Sequence, residues 1–150
     1  MRRATPLFKS TLFFLLAAGL SLCVWSCSGP RAKGKAAEPD YSTTRLSEKS
    51  IFKAAFLSLS EPIPLGKIHS WRLHVEDANA RALTDAVISI EGGMPAHGHG
   101  LPTKPRVTQN LGGGDYLVEG MKFQMHGLWV VRFGISAAGK TDTVTFNLQL

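Results

Sequence analysis

Histidine and methionine side chains that can bind a metal occur in two segments of the sequence. In the first, residues 91–105 (EGGMPAHGHGLPTKP), Met94 precedes a His97-Gly-His99 motif among glycines and prolines. In an extended chain, side chains two residues apart point to the same side, with Cα atoms about 6–7 Å apart. Two imidazoles at that spacing can reach one metal ion, so the motif predicts a metal-binding loop.

The second segment, residues 120–129 (GMKFQMHGLW), adds the thioethers of Met121 and Met125 and a third imidazole, that of His126. Imidazole and thioether ligands together suit copper, and Cu(I) in particular, better than zinc, magnesium or calcium. Copper is therefore the expected cofactor. The imidazoles bind it in their neutral form, so the affinity for copper should fall when acid protonates them. We expect the two segments to share the ligands: Met94, His97, His99 and Met125, with His126 in reserve should Met125 lie in the core.

A metal-free interpretation of the same loop stays open. Its prolines restrict φ and its glycines permit tight backbone turns, so the loop can be a rigid connection. The two histidines would then hydrogen-bond neighbouring carbonyls, and the methionines would fill the core. His69 and His74 lie on a separate predicted strand, and we interpret them as structural or exposed.

Both segments lie among stretches in which apolar and polar residues alternate, as is typical of strands with one buried face. Trp71 and Trp129 fall on the apolar faces and are expected to be core residues. With a shorter strand near 106–110 and no helical pattern, the chain is predicted to form an immunoglobulin-like antiparallel β-sandwich of about seven strands. The six longer stretches are 52–60, 68–76, 86–92, 116–123, 128–136 and 142–150.

The N-terminal part has the layout of an export signal. A basic start is followed by an apolar run over residues 11–25, which predicts a signal peptide at 1–26. Val24-Trp-Ser-Cys27 resembles a bacterial lipobox, in which the cysteine is lipidated. A retained anchor helix is the alternative. Residues 27–50 are polar and predict a flexible tether, which leaves one β-sandwich domain at 51–150.

The net charge and the cysteine content indicate whether the chain binds nucleic acid and whether its folded domain holds a disulfide. Without the three basic residues at 1–26, 14 Lys and Arg face 11 Asp and Glu, a net charge of +3. The net charge is only weakly positive, and the sequence has no cluster of basic and aromatic residues. Both observations argue against a nucleic-acid partner. Both cysteines, Cys23 and Cys27, belong to the export segment, so no disulfide is expected in the folded domain.

The residues that carry this chemistry resemble a known family. Met94-Pro-Ala-His-Gly-His-Gly100, with Phe123-Gln-Met-His-Gly-Leu-Trp129, is similar to the signatures of the YtkA-like domain, which is related to FixH-like proteins. The resemblance covers about residues 50–150. It implies a small exported or membrane-anchored bacterial domain of immunoglobulin-like fold, with a link to copper handling. Gln124 and His126 stand where relatives carry His and Pro, which leaves open which residues near Met125 complete a site.

Three functional hypotheses follow. The leading one is a lipid-anchored cell-envelope protein that binds copper and delivers it to a partner or sequesters it. The competing one is a metal-free interaction module that binds another envelope protein. An enzyme is not expected, because no nucleophile is paired with a base by spacing and the His-x-His loop holds no carboxylate beyond Glu91.

Overall fold

Two antiparallel β-sheets, packed face to face, make up the part of the chain that the structure describes. The structure is a computed structural model that describes residues 38–150. These residues contain strands and turns but no helix. Within that range no helix has the length and apolarity needed to cross a membrane. The nine strands are β1 Thr44–Leu46, β2 Phe52–Ser58, β3 His69–Asp77, β4 Val87–Met94, β5 His99–Gly100, β6 Arg106–Gly112, β7 Asp115–Met121, β8 Leu128–Ala137 and β9 Lys140–Gln149.

The strand order is that of an immunoglobulin-like sandwich. One sheet has the order β1-β2-β3-β7-β6 and the other the order β5-β4-β8-β9. Without the edge strands β1 and β5, these are the four-stranded and three-stranded sheets of the constant-type immunoglobulin domain. The predicted all-β sandwich is therefore confirmed. It has nine strands rather than about seven, because two short edge strands were not predicted.

Alternation of buried and exposed residues creates the core. In β3 and β9 every second side chain points inward, and the inner faces of the two sheets bury these side chains against each other. Trp71 and Trp129 are fully buried, as predicted. The largest core side chains come from both sheets: Trp71, Trp129, Tyr116, Phe52, Phe123, Phe133 and Phe146.

The folded domain begins earlier than the predicted boundary at residue 51. Thr44–Leu46 pairs with β2 in antiparallel register, from Thr44 opposite Ala55 to Leu46 opposite Lys53. This strand has three residues and no buried side chain, so it lacks the apolar alternation by which strands are recognised. Its backbone pairing places it in the sheet. The predicted signal peptide, Cys27 and the start of the tether lie outside the described residues.

Candidate metal site at one end of the sandwich

The His-x-His segment is a tight turn rather than the extended chain expected from its sequence. β4 ends at Met94, whose carbonyl accepts hydrogen bonds from the N–H groups of His97 (3.1 Å) and Gly98 (3.0 Å). The chain then returns as β5, with His99 opposite Met94. Gly93 permits this close return, since a Cβ there would lie 2.5 Å from the His99 carbonyl oxygen. The turn, in which Gly98 has φ 67°, therefore determines where the two imidazoles lie.

The two imidazoles nevertheless lie close together. The ring centres of His97 and His99 are 5.8 Å apart, with 26° between the ring planes. Nitrogen ligands about 2 Å from a metal place each ring centre roughly 3.2 Å from it, so rings up to roughly 6.4 Å apart can share one ion. The spacing fits a shared ion. His97 is exposed and His99 is half-buried, so an ion could enter from solvent.

Two neighbours hold the His99 ring. It packs edge-on against the indole of Trp129, with ring centres 5.7 Å apart. Its Nδ1 lies 3.3 Å from the carbonyl oxygen of Gly100. A proton on Nδ1 would be donated to this oxygen, which would leave the lone pair of Nε2 for a ligand. The local contacts therefore suit a metal-binding tautomer of His99.

Met94 lies beside His99 but is part of the core. Residues directly opposite in an antiparallel pair share one face of the sheet, so Met94 and His99 point the same way. Only 2% of Met94 is exposed, and its methyl group packs against Gly127. The thioether is thus fixed next to the histidines at the inner edge of the turn.

Met125 and His126 lie in the neighbouring loop between β7 and β8. Both are exposed, and 39% of the Met125 residue is accessible. The Met125 carbonyl accepts a 3.0 Å hydrogen bond from the Trp129 indole N–H, so the same tryptophan contacts both loops. The expectation that the two loops meet at one end of the sandwich is correct. His126 makes no ring contact with His97 or His99, so the structure does not bring the reserve ligand into the pair.

The available donors are soft rather than hard. Among residues 38–150 no group of three or more His, Cys, Asp or Glu side chains is placed to hold a metal ion. The donors nearest the turn are the two imidazoles and the thioethers of Met94 and Met125. Copper as the ion that they bind stays a prediction from the sequence.

Two residues of the site did not stand out as functional in the sequence. Trp129 was expected only as a core residue, yet it links His99 to the Met125 loop. Gly127 has φ 125°, and a Cβ there would lie 2.7 Å from the Met94 methyl carbon. Their signal was the presence of Gly127 and Trp129 in the segment that resembles the family's second signature.

The remaining histidines lie on β3, as predicted. His74 on the outer face places Nδ1 2.7 Å from Asp115 and Nε2 3.3 Å from Glu76. His69 is 5% exposed, lies against Phe123 and has no hydrogen-bond partner at Nε2. Burial lowers the pKa of His69, although the contact with the Lys67 carbonyl acts in the opposite direction. Neither ring joins the His97–His99 pair.

Comparison with known proteins agrees with this architecture. The sequence model of the family described as YtkA-like matches residues 54–134. A crystal structure of a DUF4426 family protein from Pseudomonas aeruginosa PAO1 is similar, with a TM-score of 0.52 and 12% identity over 71% of this chain and 94% of that chain. The ZirS C-terminal domain aligns at 13% identity over 94% and 97% of the two chains, with a TM-score of 0.37. No curated protein matches.

Proposed function

The chain belongs to the YtkA-like family, and on that premise we propose that it is an exported, lipid-anchored envelope protein that binds copper. His97 and His99 would supply imidazole nitrogen, and Met94 and Met125 thioether sulfur. The protein would deliver copper to an accepting partner or sequester it. The proposal is one of binding and transfer, without catalysis.

One observation carries the proposal. The His97 and His99 rings are 5.8 Å apart, and Met94 is the cross-strand neighbour of His99. A buried sulfur and a half-buried imidazole would provide a fixed inner side, while His97 and Met125 would provide an exposed outer side. Such an arrangement suits an ion that must be released as well as bound.

Copper titration of the mature chain tests this proposal. We expect the His97→Ala, His99→Ala double variant to lose more than about a hundredfold in Cu(I) affinity, since losing an outer-shell contact alone costs about 10–100-fold. A competing chelator of known affinity gives the measurement, and circular dichroism checks the fold. The matched control is His74→Ala, which removes an imidazole on the outer face of β3 and should bind as the wild type does. Equal affinity in the double variant would contradict the proposal.

The alternative is a metal-free interaction module. It is favoured by the backbone hydrogen bonds that close the turn at Met94, which fix the loop without any ion. The two functions differ in thermal stability, because a ligand that binds only the folded state raises the melting temperature. A melting temperature that copper leaves unchanged, together with a protein partner lost on loop mutation, would favour the module.

A further inference from the structure

We propose that the end of the sandwich that carries His97 and His99 rests on the headgroup surface of the membrane to which the chain is tethered. The inference rests on the lipid anchor of the proposed function and adds the orientation of the domain and the surface that makes contact. This surface is named the membrane face below. It comprises the His-x-His turn, the Met125 loop and the segment 59–68.

The described chain starts at this same end. β1 runs antiparallel to β2, so the residues before it follow β2 toward its C-terminal end. The Thr43 carbonyl accepts a hydrogen bond from Phe56 N–H (3.0 Å), which continues the pairing. The Asp40 carbonyl accepts one from the Asn147 side chain (2.9 Å), close to the end of β9.

The end of β9 contacts the candidate site directly. Leu150 and Gly127 exchange two backbone hydrogen bonds, of 2.7 and 3.1 Å. Gly127 in turn packs against the methyl group of Met94. Tyr41 and Leu150 line one shallow depression. The N-terminal segment is therefore separated from the histidine turn by the width of a few side chains, and not by the length of the sandwich.

The length of the tether favours one end of the sandwich as the end that faces the membrane. Ten residues lie between Cys27 and Glu38, so eleven Cα–Cα steps join them. A polypeptide of that length reaches about 40 Å at full extension, and random-coil scaling gives about half of that on average. The ten residues of β9 make the sandwich about 33 Å long. Placing the opposite end on the membrane would stretch the tether almost fully, at a cost in chain entropy.

The membrane face exposes large apolar side chains. Ile68 is 66% exposed, Leu59 53% and Met125 39%. The Leu59 N–H donates to the Ser70 carbonyl, which places Leu59 beside the start of β3. The Gly66 N–H donates to the Phe123 carbonyl (2.7 Å), which joins the segment before Ile68 to the loop of Met125. Leu46, Val87 and Leu111 are exposed to a similar degree toward the opposite end, so the exit of the tether, and not apolar exposure by itself, selects this end for insertion among lipid headgroups.

Basic residues accompany these apolar groups. Lys67 precedes Ile68, and Lys122 precedes Phe123 in the adjoining loop. Lys104 lies next to Gly120, whose carbonyl accepts the Thr103 hydroxyl. Each lysine near a negatively charged bilayer contributes about 1 kcal/mol of attraction. The exposed carboxylate of Glu61 offsets one of these three charges, and the remaining positive charge with exposed Ile, Leu and Met favours an anionic lipid surface over a neutral one.

Fluorescence quenching in vesicles tests the orientation. The lipidated full chain, in phosphatidylethanolamine and phosphatidylglycerol vesicles, carries one introduced thiol, Ile68→Cys at the membrane face or Asn79→Cys at the opposite end. Both positions are exposed, so the label should not disturb the core. With a headgroup nitroxide as quencher, we expect at least threefold more quenching at position 68 than at 79. Lys67→Glu with Lys122→Glu should reduce this difference.

Each other outcome has a defined meaning. Equal quenching at both positions on a membrane-bound chain overturns the inference and leaves the copper proposal intact. Quenching at position 68 in native membranes but not in lipid vesicles also overturns it, in favour of a membrane protein as the contact. If the wild-type chain fractionates with membranes no more than the Cys27→Ser variant does, both the lipid anchor and the inference are overturned. Copper titration of the same samples reports on the metal site separately.

Discussion

At the scale of single residues, Gly127 determines how closely the two loops of the candidate site approach. Its φ of 125° lies outside the range that L-residues adopt readily, and any Cβ would lie 2.7 Å from the Met94 methyl carbon. The glycine therefore lets Met94 sit under the turn beside His99. Loss of this space would displace the thioether as well as strain the backbone.

We expect Gly127→Ala to destabilise the fold by about 1–3 kcal/mol, chiefly through backbone strain at φ 125°, because the Met94 methyl group ends a flexible side chain that can shift. Urea denaturation measures the difference. Gly98→Ala is the matched control, since Gly98 also has positive φ (67°) but no atom lies within 4 Å of the place that its Cβ would occupy. It should cost about 1 kcal/mol. Equal losses for the two variants would show that neither the φ of Gly127 nor its contact with Met94 adds to the cost of the side chain.

The sequence allowed part of this site to be predicted. The spacing of His97 and His99 indicated two neighbouring imidazoles, and the rings are indeed 5.8 Å apart. The extended conformation was wrong, because the Met94 carbonyl captures two N–H groups and closes a turn. The contact of Trp129 with both loops depends on long-range packing, which spacing alone does not reveal.

At the scale of secondary-structure elements, Tyr116 on β7 fastens the connection between β3 and β4. Its hydroxyl donates to the Leu83 carbonyl (2.7 Å) and accepts from the Ala86 N–H (2.9 Å). Burial raises the pKa of Tyr116, although the hydrogen bond from Ala86 acts against it, so the hydroxyl stays protonated. One side chain thus satisfies two backbone groups in a segment with little regular structure.

Tyr116→Phe should lower the free energy of unfolding by about 1–3 kcal/mol, because it leaves a backbone donor and acceptor without their partner. Tyr41→Phe, at an exposed position, should have little effect. Chemical denaturation of both variants gives the comparison. An unchanged midpoint for Tyr116→Phe would mean that solvent replaces the lost bonds.

The elements themselves were predictable where alternation was long. β3 and β9 alternate over nine and ten residues and were assigned from their sequences. β1 and β5 were missed because they have only three and two residues, and each joins its sheet by backbone pairing with a neighbouring strand rather than by an alternating buried face. The strand order also required coordinates, since many sandwich topologies are compatible with one alternating pattern.

At the scale of the whole molecule, a buried histidine couples the stability of the fold to pH. His69 lies among Trp71 and Phe123, and burial is the main cause that lowers its pKa below 6.5. Below that pH His69 binds a proton in the unfolded chain more readily than in the folded chain. The contribution of His69 is therefore complete above pH 6.5 and declines as the pH falls toward its lower folded-state pKa.

We expect the wild-type chain to lose stability between pH 7.5 and 5.5, and His69→Phe to lose less over the same interval. Phenylalanine fills a similar space and cannot be protonated. Thermal denaturation at several pH values provides the measurement, with His126→Ala as the exposed control that should follow the wild type. Identical pH profiles for His69→Phe and wild type would rule out this origin of acid sensitivity.

The whole account depends on imidazole and thioether ligands meeting at one copper ion. X-ray absorption at the copper edge of the Cu(I)-loaded mature chain tests this most directly. The account predicts nitrogen and sulfur scatterers together in the first coordination shell, with sulfur lost in a Met94→Leu, Met125→Leu variant and nitrogen lost when both His97 and His99 are replaced. A shell of nitrogen or oxygen alone, unchanged by these substitutions, would contradict it.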